Sequence, residues 1–203
     1  MILSSNEIRK FITKSDVSMI QPFSEEQLQG ASYDVSMSGA IAVLKETGGI
    51  IDPNVPVDEN ALYEKITIGK DGYLLSPGNF VLVALNEKIN LPNNVIAHVR
   101  SRTRFTRNGI LIADQHCNPT YTGVLHIGLF NAGVNAFKLK KGLKIAQLVF
   151  EELSSVPEDS KLYKNQKTAA YNNEADFRGA KFDIENLSED GRRFYNDMID
   201  SLK

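Results

Sequence analysis

Features that mark secreted, membrane and disulfide-stabilised proteins are scarce in this sequence. Its one cysteine, Cys117, excludes a disulfide within the chain, which is typical of a reducing cytoplasm. No apolar run approaches the roughly 18 residues that a membrane-spanning helix needs. The first ten residues, MILSSNEIRK, lack the basic stretch and apolar segment of a secretory signal. We therefore expect a cytoplasmic location and no membrane partner.

An excess of positive charge is also absent. The 203 residues carry 23 Lys and Arg against 25 Asp and Glu, a formal net charge of −2. Proteins that bind nucleic acid polymers are usually strongly basic, so we expect no such partner. Hydrophobic residues make up 42% of the chain, which suits one globular domain over residues 1–203.

Motifs for a resident metal are missing as well. The zinc deaminase signature needs His-x-Glu and Cys-x-x-Cys, whereas this chain has a single cysteine. His116 beside Cys117 supplies too few ligands for a closed metal site, and Cys117 is more simply a small buried apolar residue. We therefore expect no metal held by the protein itself.

Short apolar segments bounded by glycine, proline or asparagine run from ASYDVSM to residue 152. Turn signals about every ten residues predict a mostly β sandwich or barrel. Ser4 and Glu7 have the spacing of a capping box for an N-terminal helix. A C-terminal helix is expected over residues 187–203, with Ser188 as its N-cap. Its apolar face would comprise Phe194, Met198, Ile199 and Leu202.

Residues 99–109, VRSRTRFTRNG, concentrate positive charge in this otherwise balanced chain. The cluster is a solvated charge run, a nucleic-acid surface or a socket for a small polyanion. The net charge argues against the second explanation. A nucleoside triphosphate carries about four negative charges, and guanidinium forks on a short loop suit it. The four guanidinium groups belong to Arg100, Arg102, Arg104 and Arg107.

Four segments in order resemble the motifs of the dCTP deaminase and dUTPase superfamily. They are GASYDVSM, VRSRTRFTRNGI, CNPTYTGVLHIGLFNAG and LKKGLKIAQLVFEEL. The N-terminal helix and a closing tail over residues 158–182 are similar to the deaminase branch, and the resemblance covers roughly residues 1–180. It implies a distorted double-sheet β-barrel with N- and C-terminal helices. It also implies a homotrimer with its sites at the contacts between subunits.

For the triphosphate of a bound deoxynucleotide, the resemblance implies a role for Arg100 and Ser101, which stand where the family has its leading Arg-Ser pair. The family's second arginine precedes a glycine by two residues, as Arg107 precedes Gly109. Because the loop is longer here than in the usual deaminase, Arg104 is the alternative. Magnesium is expected only as an ion that bridges the phosphates of the ligand.

Other residues of the same motifs have expected places around the ligand. Gln147 matches the family's glutamine near the phosphates, and Asp34 is expected to tie the first strand to the site. Tyr121 stands where the family packs an aromatic ring on the deoxyribose, with ordinary sheet packing as the alternative. Tyr163 and Tyr171 match the two tyrosines of the closing tail.

The residues that perform the family's two chemistries are both absent. The segment CNPTYTG resembles a hairpin motif of the family. The deaminases have a glutamate on the strand that follows this motif, and this chain has Gly128 there. The dUTPases have an aspartate in the hairpin, where this chain has Asn118, whose amide can orient a water but cannot accept its proton. In the tail, Ala170 and Glu174 replace the lysine and glutamine of the deaminases.

His126 is the main candidate to compensate for the missing glutamate. Strand alternation points it to the same face as Gly128, and an imidazole with an ordinary pKa of about 6.5 suits proton shuttling. The alternative is a hydrogen-bonded histidine inside the barrel or at the trimer axis. Asp114 and His116 are expected within reach of the pocket mouth.

These assignments favour deamination of dCTP to dUTP plus ammonia. The residues expected to act in catalysis are Ser101, His126 and Asn118, and Gly128 is expected beside the base. One alternative is a dUTP diphosphatase. The other is a catalytically silent nucleotide-binding or regulatory homologue.

Overall fold

The computed structural model of the protein describes residues 1–13, 17–52, 59–181, 189–193 and 197. The structure forms one half of the predicted N-terminal capping box, because the backbone N–H of Ser4 donates to the Glu7 carboxylate at 3.1 Å, and the Ser4 hydroxyl donates to the same oxygen. Helix α1 (Ser5–Thr13) follows and buries Ile8 in the core. Residues 189–193 are helical, whereas Ser188 and the expected apolar face of the C-terminal helix lie outside the described residues.

Strands make up most of the described chain between residues 20 and 152. In chain order they are β1 (Ile20–Gln21), β2 (Tyr33–Leu44), β3 (Tyr63–Thr67), β4 (Tyr73–Leu75), β5 (Phe80–Asn90), β6 (Val95–Ser101), β7 (Ile110–Ile112), β8 (His116–Cys117), β9 (Thr122–Asn131), β10 (Phe137–Leu139) and β11 (Lys144–Glu152). The short helices are α2 (Glu59–Leu62) and α3 (Thr103–Thr106), and 3-10 turns lie at Glu25–Gln27, Asp159–Lys161 and Tyr163–Asn165. The mostly β fold expected from the sequence is confirmed.

The described strands form a nine-stranded sheet with the order β7-β9-β5-β2-β11-β6-β8, to which β1 and β3 add at β5 and β2. Strands β10 and β4 form a separate antiparallel pair. The long β2 changes partner along its length, because residues 33–36 pair with β11 and residues 37–43 pair with β5. This switch curls the sheet into half a barrel.

The sheet encloses an apolar core through the usual alternation of strand residues. Val81 and Val83 of β5 are fully buried, while Leu82 between them is only partly buried. Ile127 and Leu129 of the neighbouring β9 are buried in the same cluster. In the part of the chain that the structure describes, no helix is long and apolar enough to cross a membrane.

Candidate functional site

A cavity of about 420 Å³ opens between the loop that joins β8 to β9, strand β9 and the tail. It brings together five residues that the sequence predicted for the base side of the site. These are Asn118, Tyr121, His126, Tyr163 and Tyr171. The wall on the tail side includes three residues that were not predicted for the site, Glu174, Phe177 and Arg178.

The tail reaches this cavity by pairing with the start of β9. The backbone N–H of Val124 donates to the Glu174 carbonyl at 2.7 Å, and Gly123 and Glu174 form a parallel bridge. Gly123 has a φ of +153°, and a Cβ there would lie 3.0 Å from both the nitrogen and the carbonyl oxygen of Glu174. A glycine is therefore needed for the tail backbone to approach so closely.

His126 and Glu174 face each other across the cavity wall. The imidazole Nδ1 lies 3.5 Å from the Glu174 Oε1, and the two side chains are only 8% and 5% exposed. The same carboxylate oxygen accepts the backbone N–H of Arg178 at 2.8 Å. The Phe177 ring packs edge-on against the imidazole with 5.5 Å between centroids. Among the described residues, His126 Nδ1 is a buried nitrogen without a hydrogen-bond partner.

Gly128 lies on the same strand face as His126 but does not line the cavity outlined by the described residues. A Cβ at position 128 would lie 2.8 Å from the Cε2 and Cζ atoms of Phe80 and 3.3 Å from the Ala113 Cβ. The place of the family's glutamate is therefore occupied by an aromatic ring, and an acidic side chain has no room there unless Phe80 moves.

We expect Gly128→Ala to lower the free energy of unfolding by about 1–3 kcal/mol, because the added methyl group overpacks the contact with the ring. Urea unfolding of the two proteins measures the difference. In a Phe80→Ala background the same substitution should cost less than half as much. An equal cost in both backgrounds would contradict the contact as the cause.

Cys117 and Tyr121 are buried at the cavity, whereas His116 is exposed. Burial raises the pKa of the Cys117 thiol to about 12, so it remains protonated at neutral pH and acts as the small apolar residue that the sequence suggested. Burial also raises the pKa of Tyr121, whose ring lies 5.8 Å from that of Tyr163. His116 Nε2 and Asn118 Oδ1 are 3.2 Å apart, so the imidazole fixes the Asn118 amide.

Arg100 and Ser101, which lead the arginine segment (residues 99–109), lie outside this cavity. Arg100 donates to the Asp114 carboxylate at 2.9 Å, and both side chains are about half exposed. The Ser101 hydroxyl lies 3.1 Å from that of Thr106. Asp114 directly precedes Gln115 and His116, which line the cavity, whereas Arg100 and Asp114 do not line it.

A second, smaller cavity of about 300 Å³ lies at the other side of the arginine segment. It is lined by Gln29, Asp34, Arg102, Thr103, Arg104 and Gln147. The predicted phosphate residues Arg104 and Gln147 therefore share one surface depression, whereas Arg107 is exposed at the C-terminal end of α3 and lines neither cavity outlined by the described residues.

Arg102 has a structural role in this segment. Its guanidinium donates to the Lys144 carbonyl at 3.0 Å and lies 3.0 Å from the Asp34 carboxylate, with 16% and 5% of the two side chains exposed. The pair joins β2 to the loop after β6, as expected for Asp34. The described residues contain no group of three or more His, Cys, Asp and Glu side chains that could hold a metal.

Comparison with known proteins identifies the family. The model of the family described as dCTP deaminase-like matches residues 2–153, so this chain belongs to the dCTP deaminase-like family. The match includes the arginine segment, the hairpin and β9, and it ends before the tail.

Curated relatives extend over most of the chain. A protein of Hydrogenobaculum sp. (strain Y04AAS1) named dCTP deaminase, dUMP-forming, is 33% identical over 158 residues, which is 77% of this chain and 85% of the relative. A protein of the same name from Nanoarchaeum equitans is 30% identical over 177 residues, covering 79% of this chain and 89% of the relative. A Haloarcula marismortui protein named dCTP deaminase is 31% identical over 162 residues, covering 76% and 82%.

A solved structure shares the fold. The crystal structure of 2′-deoxycytidine 5′-triphosphate deaminase from Agrobacterium tumefaciens aligns with a TM-score of 0.61 and 18% identity. The alignment covers 79% of this chain and 50% of that one, so this chain spans about half the length of that protein.

Proposed function

We propose that this protein deaminates dCTP, with the cytosine in the cavity beside the tail and the triphosphate on the arginine segment. The observation that carries the proposal is the cavity itself, which places Asn118, Tyr121, His126 and the buried Glu174 carboxylate around one space of nucleobase size. The Glu174 carboxylate lies beside His126, and this pair of an acid and a base suits the proton transfers of deamination rather than the hydrolysis of a phosphate. This favours dCTP over dUTP as the substrate.

For the phosphates we propose Arg100, Ser101, Arg104 and Gln147, with Mg²⁺ bound through the phosphate oxygens. Arg100 is half exposed and Arg104 lies on a separate depression, so the arginine segment and the cavity face solvent at different places on one chain. We propose a homotrimer, in which the arginine segment of one protomer would meet the cavity of its neighbour. The two parts would then form one site. A cytoplasmic location fits such a role with free nucleotides. Arg107 is the alternative to Arg104.

The reaction follows from the cavity's polar groups. A water adds to C4 of the cytosine, the C4–N4 bond breaks, and the nitrogen leaves as ammonia, so that dCTP and one water give dUTP and ammonia. In this proposal the Asn118 amide orients the water and His126 moves the protons. Tyr121 would pack on the sugar, and Tyr163 and Tyr171 would hold the tail over the base.

A second candidate reaction is formation of dUMP, which the names of two relatives favour. In that case a second water displaces pyrophosphate from the α-phosphorus. The overall reaction converts dCTP and two waters to dUMP, ammonia and pyrophosphate. The arginine segment would then bind the triphosphate during deamination and also hold the phosphates while pyrophosphate is displaced.

The test is incubation of the protein with dCTP and, separately, with dUTP, each with Mg²⁺, followed by assay of ammonia, pyrophosphate and nucleotides. If dCTP is converted to ammonia and dUTP, the result supports simple deamination. If dCTP is converted to ammonia, dUMP and pyrophosphate, the result supports the dUMP-forming reaction. Pyrophosphate from dUTP without ammonia from dCTP would instead indicate a diphosphatase. Nucleotide binding without turnover would indicate a silent homologue, and either of these last two results would overturn the proposal.

A further inference from the structure

We propose that Glu174 supplies the carboxylate for proton transfer in this protein, acting through His126, in place of the glutamate that is absent at position 128. The inference rests on the proposed function. Glu174 is a positioning residue in this scheme, because it orients and charges the imidazole, and His126 is the catalytic residue that meets the water.

The burial of the pair is the first argument. A carboxylate that is 95% shielded from solvent is costly unless it is paired or hydrogen-bonded, and here the ionisable base within reach is His126 at 3.5 Å. The backbone N–H of Arg178 adds one hydrogen bond at 2.8 Å. Nothing in the packing of the sheet requires an acidic residue at this place. A glutamine would fit the same space without the cost of a buried charge.

The orientation of the histidine is the second argument. Its Nδ1 is buried, lies 3.5 Å from the Glu174 carboxylate and has no hydrogen-bond partner among the described residues. A proton on Nδ1 is therefore stabilised by Glu174, which leaves Nε2 without a proton and able to accept one. The edge-on Phe177 ring holds the imidazole in this plane.

The route by which the carboxylate arrives is the third argument. Phe80 fills the space beside Gly128, so a side chain from that position has no access to the base. The tail brings Glu174 to the neighbouring His126 instead, through its pairing with β9 at Gly123 and Val124. The tail thus supplies an acidic group beside His126, at a cavity that Gly128 does not line.

The proton movements balance in this arrangement. The attacking water forms its bond to C4 as Nε2 of His126 takes one of its protons, and Glu174 stabilises the resulting imidazolium through Nδ1–H. The imidazolium delivers that proton to N3 of the pyrimidine, and the imidazole then carries the second proton of the water from the hydroxyl group on C4 to N4. The C4–N4 bond breaks, ammonia leaves, and the oxygen remains on C4 as a carbonyl.

The test uses Glu174→Gln, which keeps the shape and hydrogen bonds of the side chain but removes its charge. We expect kcat for ammonia release from dCTP to fall about 100-fold with KM changed less than about threefold, since proton transfer is typically worth about 100- to 10,000-fold. Glu174→Asp, which keeps the charge but withdraws it by one methylene, should lose only about tenfold in kcat. Glu158→Gln, an exposed carboxylate at the start of the tail, is the matched control and should match the wild type.

Coupling to His126 separates proton transfer from simple support of the fold. His126→Gln should lose at least as much kcat as Glu174→Gln, and the double variant should be no slower than His126→Gln alone, because the carboxylate has nothing to act on without the imidazole. Independent losses that multiply in the double variant would overturn the inference. Circular dichroism spectra and melting temperatures show whether each variant is folded. If Glu174→Gln is not folded, the kcat of Glu174→Asp decides whether the carboxylate acts in proton transfer.

The outcomes distinguish this inference from the proposed function. A wild-type protein that releases ammonia from dCTP while Glu174→Gln does so at the same rate would overturn the role of Glu174 and leave the deaminase function standing. A rise in KM at unchanged kcat would also overturn it, since Glu174 would then only bind the base. A wild-type protein that releases no ammonia would overturn both.

Discussion

The substitution Asp34→Asn is expected to lower the free energy of unfolding by about 3 kcal/mol, because it leaves the Arg102 guanidinium charged, mostly buried and without its carboxylate. The Asp34 side chain is 5% exposed and Arg102 is 16% exposed, with 3.0 Å between the charged atoms. Little solvent is available to replace the lost partner. The measurement is urea unfolding at one fixed protein concentration, since any association of chains makes the apparent stability depend on concentration.

The arginine segment contains its own control for this prediction. Arg100 and Asp114 form an ion pair of nearly the same length, 2.9 Å, but their side chains are 46% and 63% exposed. Solvent screens this pair, so Asp114→Asn should change the free energy of unfolding by less than about 1 kcal/mol. Equal effects of the two substitutions would show that burial does not distinguish the pairs. The structural role of Arg102 would then be wrong.

Removing the proposed phosphate ligands is expected to weaken nucleotide binding strongly. A charge-assisted hydrogen bond to a phosphate is worth about 1.5–3 kcal/mol, so Arg100→Ala and Ser101→Ala should each raise the dissociation constant about 10- to 100-fold, with Arg100→Ala at the upper end. Binding is measured by calorimetric titration with an imido-bridged analogue of dUTP. This analogue carries a triphosphate-like group but has no amine to lose. Stability should be almost unchanged, since both side chains are on the surface.

Matched arginine variants locate the second phosphate ligand. Arg104→Ala should weaken binding more than Arg107→Ala, because Arg104 shares a depression with Gln147 and Arg107 does not. Arg9→Ala removes an exposed arginine that pairs with Glu25 at the N-terminal helix and should leave binding unchanged. Wild-type affinity in both Arg100→Ala and Ser101→Ala would contradict the proposed role of the segment. A larger effect of Arg107→Ala would reverse the choice between the two later arginines.

Local patterns predicted the parts of the fold that depend on neighbouring residues. The capping box at Ser4 and Glu7 is a contact between residues three apart, and the structure forms its bond from the Ser4 backbone N–H to the Glu7 carboxylate. The alternation of apolar residues predicted the strands of the sheet for the same reason. Asp34 was expected to tie the first strand to the site, and its ion pair with Arg102 joins β2 to the loop after β6.

Contacts between distant residues could not be predicted in the same way. Four arginines in one segment are alike in sequence, and only the position of Asp34 on β2 decides that Arg102 is the buried one. Phe80 fills the space beside Gly128 because β5 and β9 are paired, which no pattern within either strand indicates. Glu174 approaches His126 only because the tail docks on Gly123. The replacement of a glutamine by Glu174 was the one available signal for its role.

The most direct test of the account is a crystal structure of the protein soaked with dCTP and Mg²⁺. We expect the pyrimidine ring, as cytosine or as its uracil product, to lie in the cavity between Tyr121 and His126, with the triphosphate against Arg100 and Ser101 of the same or a neighbouring protomer. A nucleotide bound elsewhere, or phosphates that leave both Arg100 and Ser101 without contact, would contradict the account.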